Sequence, residues 1–148
     1  MNPIEAISVL NDLLRILCRS LPAYLADAKP WTQGNDAKLS TALDHLVADQ
    51  RHYAQRVAEA IVDRDGRPNP GRFSMSFSAK HDLAMEYVLP EVIEYQERDI
   101  ARIEQCANQL ADDAPLHALA EEILGNAKGH CDVLKEARHA IISISMGR

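Results

Sequence analysis

The chain has 148 residues, 47% apolar and 26% charged, with a formal net charge of −6. That length suits a single four-helix-bundle domain over residues 1–148, and the composition is that of a soluble globular protein. The acidic balance and the scatter of its 16 Lys and Arg residues exclude a nucleic-acid backbone as partner, because such binding draws on clustered positive charge.

Helix A is predicted from about Pro3 to Ala28, with Pro3 in the first turn and Pro22 kinking it near Cys18. Glu5, Asp12, Arg15 and Arg19 interrupt its apolar run, and it shows no basic n-region or small-residue cleavage site. Neither a signal peptide nor a membrane span is expected of it. The apolar arc is wide: Ala6, Leu10, Leu13, Leu17, Leu21 and Tyr24 at the centre, with Val9 and Ile16 on one edge and Ile7, Leu14, Cys18 and Leu25 on the other. A helix apolar on more than one face lies inside a larger bundle or against a partner. One expectation is a homodimer through helix A, with Trp31 nearby. The other is that the connection carrying Phe73, Met75 and Phe77 covers the extra surface.

The loop KPWTQGND ends in Asn35 and Asp36 as N-caps, and helix B runs on to about Arg64, stopping at the breakers DGRPNPG. RFSMSFSA alternates Phe73, Met75 and Phe77 with serines, as an extended strap or a short edge strand would. Helix C spans about Ala79 to Ala111, with Ser78 as N-cap, His81 and Asp82 in the first turn and Pro90 as an internal kink. After DDAP, helix D runs from about Pro115 to Ser145, where Gly125 and Gly129 suit close contact with a neighbouring helix. Cys18, Cys106 and Cys131 are an odd number without a C-x-x-C pair, which fits a reducing cytoplasm and thiols used as small apolar side chains.

Short A–B and C–D connections imply antiparallel hairpins, while a B–C link of about fifteen residues can run the length of a bundle. Together with DQRHY in helix B and AKGHCDVLKE in helix D, this pattern resembles the ferritin-like superfamily. The resemblance implies an all-α fold, a ferritin-like four-helix bundle with one long crossover connection. It also implies a di-iron site, with one Glu on each of two helices and Glu-x-x-His on the other two, serving oxidation chemistry or iron storage.

DQRH (49–52) and EARH (136–139) each place an acid three residues before a histidine, half of such a metal box. A helical advance of about 100° per residue puts the helix B seam on Leu39, Leu43, Leu46, Gln50, Tyr53, Val57 and Ile61. Asp49 and His52 are expected on the opposite, solvated stripe, and Glu136 and His139 on the back of helix D. Inside, Gln50, Tyr53, Gln96, Asp99 and His130 come to one height halfway along the bundle and form the candidate ligand-binding layer. One acid and one imidazole fall short of the roughly four carboxylates and two histidines that two irons need.

A buried polar group without a partner costs about 1–3 kcal/mol, so the layer is expected to bond within itself, Asp99 to His130 with Tyr53 and the glutamines completing the network. Two alternatives stand beside this: a mononuclear metal on His130 and Asp99 with Gln50 or Gln96 as a weak ligand, and a small polar molecule between the helices. Glu122, on a flank of helix D, reaches the layer only if that helix is rotated. No nucleophile elbow or phosphate loop is recognisable, so no catalytic residue is assigned. The function read from these residues is a ferritin-like bundle without a di-iron site, acting in the cytoplasm as a binding or interaction protein for a protein partner or small ligand, without cofactor or membrane. The alternative is an iron- or manganese-dependent oxidoreductase of the ferritin-like class with a reduced metal site around His130 and Asp99.

Overall fold

The computed structural model describes residues 1–28, 37–80 and 85–146. The elements are α1 (Pro3–Cys18), α2 (Leu21–Ala28), α3 (Ala37–Asp63), a 3-10 helix (Met75–Lys80), α4 (Met85–Gln109) and α5 (Ala114–Met146). Among the described residues there is no strand, and no helix is long and apolar enough to cross a membrane. Trp31, the Asn35 and Asp36 caps, and the His81 and Asp82 pair lie outside the described residues.

The N-terminal segment, expected as one kinked helix, is two. Asn2 starts α1 in a capping box with Glu5, its Oδ1 accepting from the Glu5 amide at 2.8 Å. Pro22 has no N–H for the Cys18 carbonyl and its ring would collide there, so the helix stops at Cys18. Ser20 opens the next one: its Oγ accepts from the Ala23 amide and its carbonyl from the Tyr24 amide, both at 3.1 Å.

The helices bury two separate apolar clusters. One joins Ala6 to Leu17 of α1 with Val57 and Ile61 of α3, Ile103 to Leu110 of α4 and Leu116 to Ala127 of α5. The other joins Leu21 and Leu25 of α2 with Leu39 to Val47 of α3, Val88 to Ile93 of α4, and Cys131 and Leu134 of α5. Across the two clusters α1 meets the C-terminal half of α3 and α2 its N-terminal half, and α4 and α5 meet by opposite halves, so α1–α2 runs antiparallel to α3 and α4 antiparallel to α5. Helices α3 and α4 cross from one cluster to the other in the same direction. Parallel helices need a connection as long as the bundle, which is the crossover expected of this sequence.

That connection tracks α1 and α2 residue by residue. α3 ends in a Schellman turn, with Asp65 in the left-handed region (φ 61°) and the Gly66 amide returning to the Ile61 carbonyl at 2.9 Å. Gly66 is required by close approach: a Cβ there would lie 2.9 Å from Ile61 and from Ile7 of α1. Buried Asn11 then holds the chain by two bonds, donating to the Arg67 carbonyl (3.2 Å) and accepting from the Asn69 amide (2.7 Å). Arg19 Nε donates to the Gly71 carbonyl at 2.8 Å, and Phe73 packs edge-on against Tyr24 of α2. The extra width of the α1 arc is therefore covered inside the chain; Val9, Leu14 and Ile16 are all buried, and Ile4 is its exposed apolar residue.

RFSMSFSA does not lay three side chains on the bundle. Phe77 is buried and Phe73 half-buried, but Met75 is 91% exposed. The serines explain the difference: Ser78 Oγ donates to the Met75 carbonyl (2.9 Å) and Ser74 pairs with Ser76 (2.8 Å), local bonds that curl the segment into a 3-10 turn and break its alternation. Ser78 thus belongs to this turn rather than capping helix C. Helix α4 continues through Pro90.

Gly125 and Gly129 are likewise not at a helix contact. Both are exposed on α5, with nothing within 4 Å of where a Cβ would sit. Replacing either with Ala is expected to stabilise the protein by about 0.5–1 kcal/mol, because the glycine only adds chain entropy there. Chemical denaturation of the two single variants checks this, and a loss of stability in both would show that α5 meets another surface at that face.

Candidate functional site

The two apolar clusters part at mid-bundle, and the polar residues fill the boundary. Gln50 on α3, Gln96 and Asp99 on α4, and Asn126 and His130 on α5 line one cavity of about 10 Å³, closed by Ile16 and Leu17 of α1. That is room for roughly one water molecule. Four of the five residues expected in the layer meet there, and each takes a different partner.

Gln50 Oε1 accepts from Ser20 Oγ at 3.0 Å, tying the layer to the α1–α2 break. Gln96, 2% exposed, donates from Nε2 to the Ala127 carbonyl at 3.3 Å. That bond fixes the amide orientation, and it leaves Gln96 Oε1 buried without a hydrogen-bond partner among the described residues. Asp99 does not bond His130, as expected from sequence, but Arg102 one turn along its own helix, at 3.4 Å. Burial dominates that partially solvated ion pair and pushes the Asp99 carboxyl up to about 6.

His130 instead takes Asp49, the acid of DQRH. Its Nε2 lies 2.6 Å from Asp49 Oδ2, which also accepts from Asn126 Nδ2 at 2.9 Å. A carboxylate can only accept, so Nε2 is the donor in this bond. The bonds from Asn126 and His130 hold the Asp49 carboxyl below its ordinary range. The expectation that Asp49 faces away from the bundle fails for a geometric reason. Asp49 is about 60° round the helix from Leu46 and about 40° from Tyr53, so it belongs to the flank of the seam. A helix packed against two neighbours, here α1 and α5, brings a wider arc into contact, and Asp49, its side chain still 44% exposed, meets α5 from that flank. His52, a further 60° or so away, is exposed, as are Glu136 and His139.

Tyr53 leaves the layer for the same α3–α5 seam. It stands beside Glu122, which pairs with Arg56, and Arg56 lies over the Tyr53 ring at 5.5 Å. Glu122 thus stands beside the layer without entering it. The Arg56 bond lowers its carboxyl, while burial and the Glu122 charge raise the Tyr53 phenol. Asn126, absent from the sequence reading, was findable: it lies one turn from both Glu122 and His130 on the same stripe of α5.

Thiol chemistry has no place in this layer. Burial pushes Cys106 up to about 11 and raises Cys131, so both are protonated apolar fillers. All three cysteines are free.

A dinuclear iron centre in a helix bundle takes one Glu from each of two helices and Glu-x-x-His from each of the other two. The residues here do not fit that set. The layer offers two aspartates and one imidazole, and Asp49 and His130 are bonded to each other. Among the described residues, no three His, Cys, Asp or Glu side chains stand close enough to share an ion.

No protein-family model matches this chain, and no curated protein matches it. Among solved structures it is similar to a ferritin-like, diiron-carboxylate protein from Bacillus anthracis str. Ames. The likeness has a TM-score of 0.76 over 93% of this chain and 99% of that one, at 20% identity. Agreement over that span at so low an identity is agreement in backbone architecture.

Proposed function

We propose, from the premise of a ferritin-like fold, that this bundle works by binding and that its mid-bundle layer fastens the helices together in place of a di-iron centre. The observation that carries this reading is the Asp49–His130 bond. The one imidazole lining the cavity spends its Nε2–H on a carboxylate of the facing helix, and that carboxylate spends itself on His130 and Asn126. Both groups are tied up as a cross-link between α3 and α5. With the thiols free, the protein is suited to the cytoplasm.

One observation favours a second reading, the iron- or manganese-dependent oxidoreductase of the ferritin-like class with a reduced site. Gln96 and Asp99 bring oxygen acceptors to one small cavity, and the His130 imidazole lines it too. These groups would hold one ion, which as a Lewis acid or redox centre would supply the oxidation chemistry.

Metal content separates the readings. Untagged protein expressed in iron- and manganese-supplemented medium is expected to carry neither metal stoichiometrically, and His130→Ala to leave that background unchanged. One equivalent per chain, lost in His130→Ala and in Asp99→Asn, would replace the first reading with the second.

A further inference from the structure

A second cavity, of about 210 Å³, opens to solvent where α1 breaks into α2. Leu17, Val47 and Phe73 form apolar walls, Gln50 is shared with the mid-bundle cavity, and Arg19 and Arg51 also line it. Its size suits a ligand of a few heavy atoms rather than a nucleotide.

Arg19 is the informative residue. The other half-buried arginines all have carboxylate partners: Arg15 has Asp12, Arg56 has Glu122 and Arg64 has Asp113. Among the described residues Arg19 has none. It is nevertheless held in place, with Nε on the Gly71 carbonyl at 2.8 Å and the guanidinium stacked 4.9 Å over the Phe73 ring. Those contacts use Nε and the ring face, and among the described residues no carboxylate takes the donors of its terminal nitrogens. A cation held at the edge of an apolar cavity is complementary to a planar anion, and a guanidinium prefers a carboxylate in bidentate geometry.

We infer that this cavity binds a small organic carboxylate, its head group on Arg19 with Arg51 adding charge, and a short apolar tail against Leu17, Val47 and Phe73. The assignment rests on the binding reading above and names its ligand class. Such a ligand would also touch Gln50, whose amide is bonded to Ser20 at the head of α2.

Cys18 provides the readout. It lies on the wall of this cavity and is half-buried, while Cys106 and Cys131 are buried. Iodoacetamide at mildly alkaline pH should therefore modify Cys18 first, followed by intact-mass spectrometry. Hexanoate at ten times its dissociation constant is expected to slow that modification about tenfold, since occupied protein is shielded. Hexanol at the same concentration is expected to protect several-fold less. Arg19→Gln should abolish the preference for the acid over the alcohol. Because Arg19 also anchors the crossover, far-UV circular dichroism accompanies that variant, and Arg51→Gln, at an exposed position, tests the charge with the anchor intact.

No protection by butanoate, hexanoate or octanoate would overturn the assignment. So would equal protection by hexanol, or a preference for the acid that survives both substitutions. The metal count of the same preparation keeps the two readings apart: stoichiometric metal overturns the mid-bundle reading whatever Cys18 does, and lack of protection in metal-free protein overturns the pocket alone.

Discussion

Replacing Asp99 with Asn is expected to stabilise the protein at pH 7.5, by up to about 3 kcal/mol, an unusual direction for a buried position. Burial raises the Asp99 carboxyl from 3.8 to about 6, with Arg102 compensating only in part. The folded state therefore binds a proton that the unfolded state has already released between about pH 4 and pH 6. Across that window the wild type loses stability as pH rises, and above pH 6 it carries the full cost of a buried carboxylate. Below about pH 4 the acid is protonated in both states and the cost vanishes.

An asparagine side chain in place of Asp99 keeps the shape and removes the charge from the cavity that Gln96 and His130 also line. The measurement is urea unfolding of both proteins at pH 4, 5, 6 and 7.5. The two curves should lie closest at pH 4 and separate steadily to pH 6. A variant less stable than wild type at pH 7.5 would mean that a cation holds Asp99 ionised in the folded protein.

His130→Ala is expected to cost about 2–4 kcal/mol, from a charge-assisted hydrogen bond lost and a cavity opened beside the layer. His52→Ala, one helical turn from the same Asp49 but exposed, should stay within about 0.5 kcal/mol. The contrast is the test, because both histidines are candidates from sequence and only the His130 side chain is well covered, at 16% exposed. Asp49→Asn should show a smaller loss than His130→Ala at neutral pH. That loss should shrink in acid: a depressed carboxyl contributes above its unfolded value near 4 and ceases to contribute as pH falls through the folded one. Equal effects at the two histidines would mean that the Asp49–His130 bond fastens nothing.

The fold was readable because every helix announces itself by period and punctuation. The breakers after Asp63, the long B–C segment and the short DDAP turn define a bundle with one crossover. The height of the layer was readable too, since Gln50, Gln96, Asp99 and His130 each interrupt an apolar seam. What sequence could not supply was the pairing within the layer. Sorting side chains into an inner and an outer stripe treats a helix as having one neighbour, whereas α3 packs on two and turns Asp49 toward α5. Tyr53 was lost from the layer by the same rule, drawn outward by Glu122. The strap failed for a different reason, because alternation in RFSMSFSA does not reveal that its serines can satisfy the backbone locally.

Partition of the interior has a dynamic consequence. With a polar boundary between two apolar clusters that share Ile100 as a packed neighbour, substitutions on opposite sides should couple less than pairs within one side. The break after Cys18 falls at this boundary, so no continuous first helix transmits order from α1 to α2. The α2 side can then breathe as a unit while the α1 side keeps its amides protected from exchange. Arg19 and Ser20 sit on the hinge line of that motion. A ligand held by Arg19 would gain or lose its site with the motion, and by the same linkage would damp it.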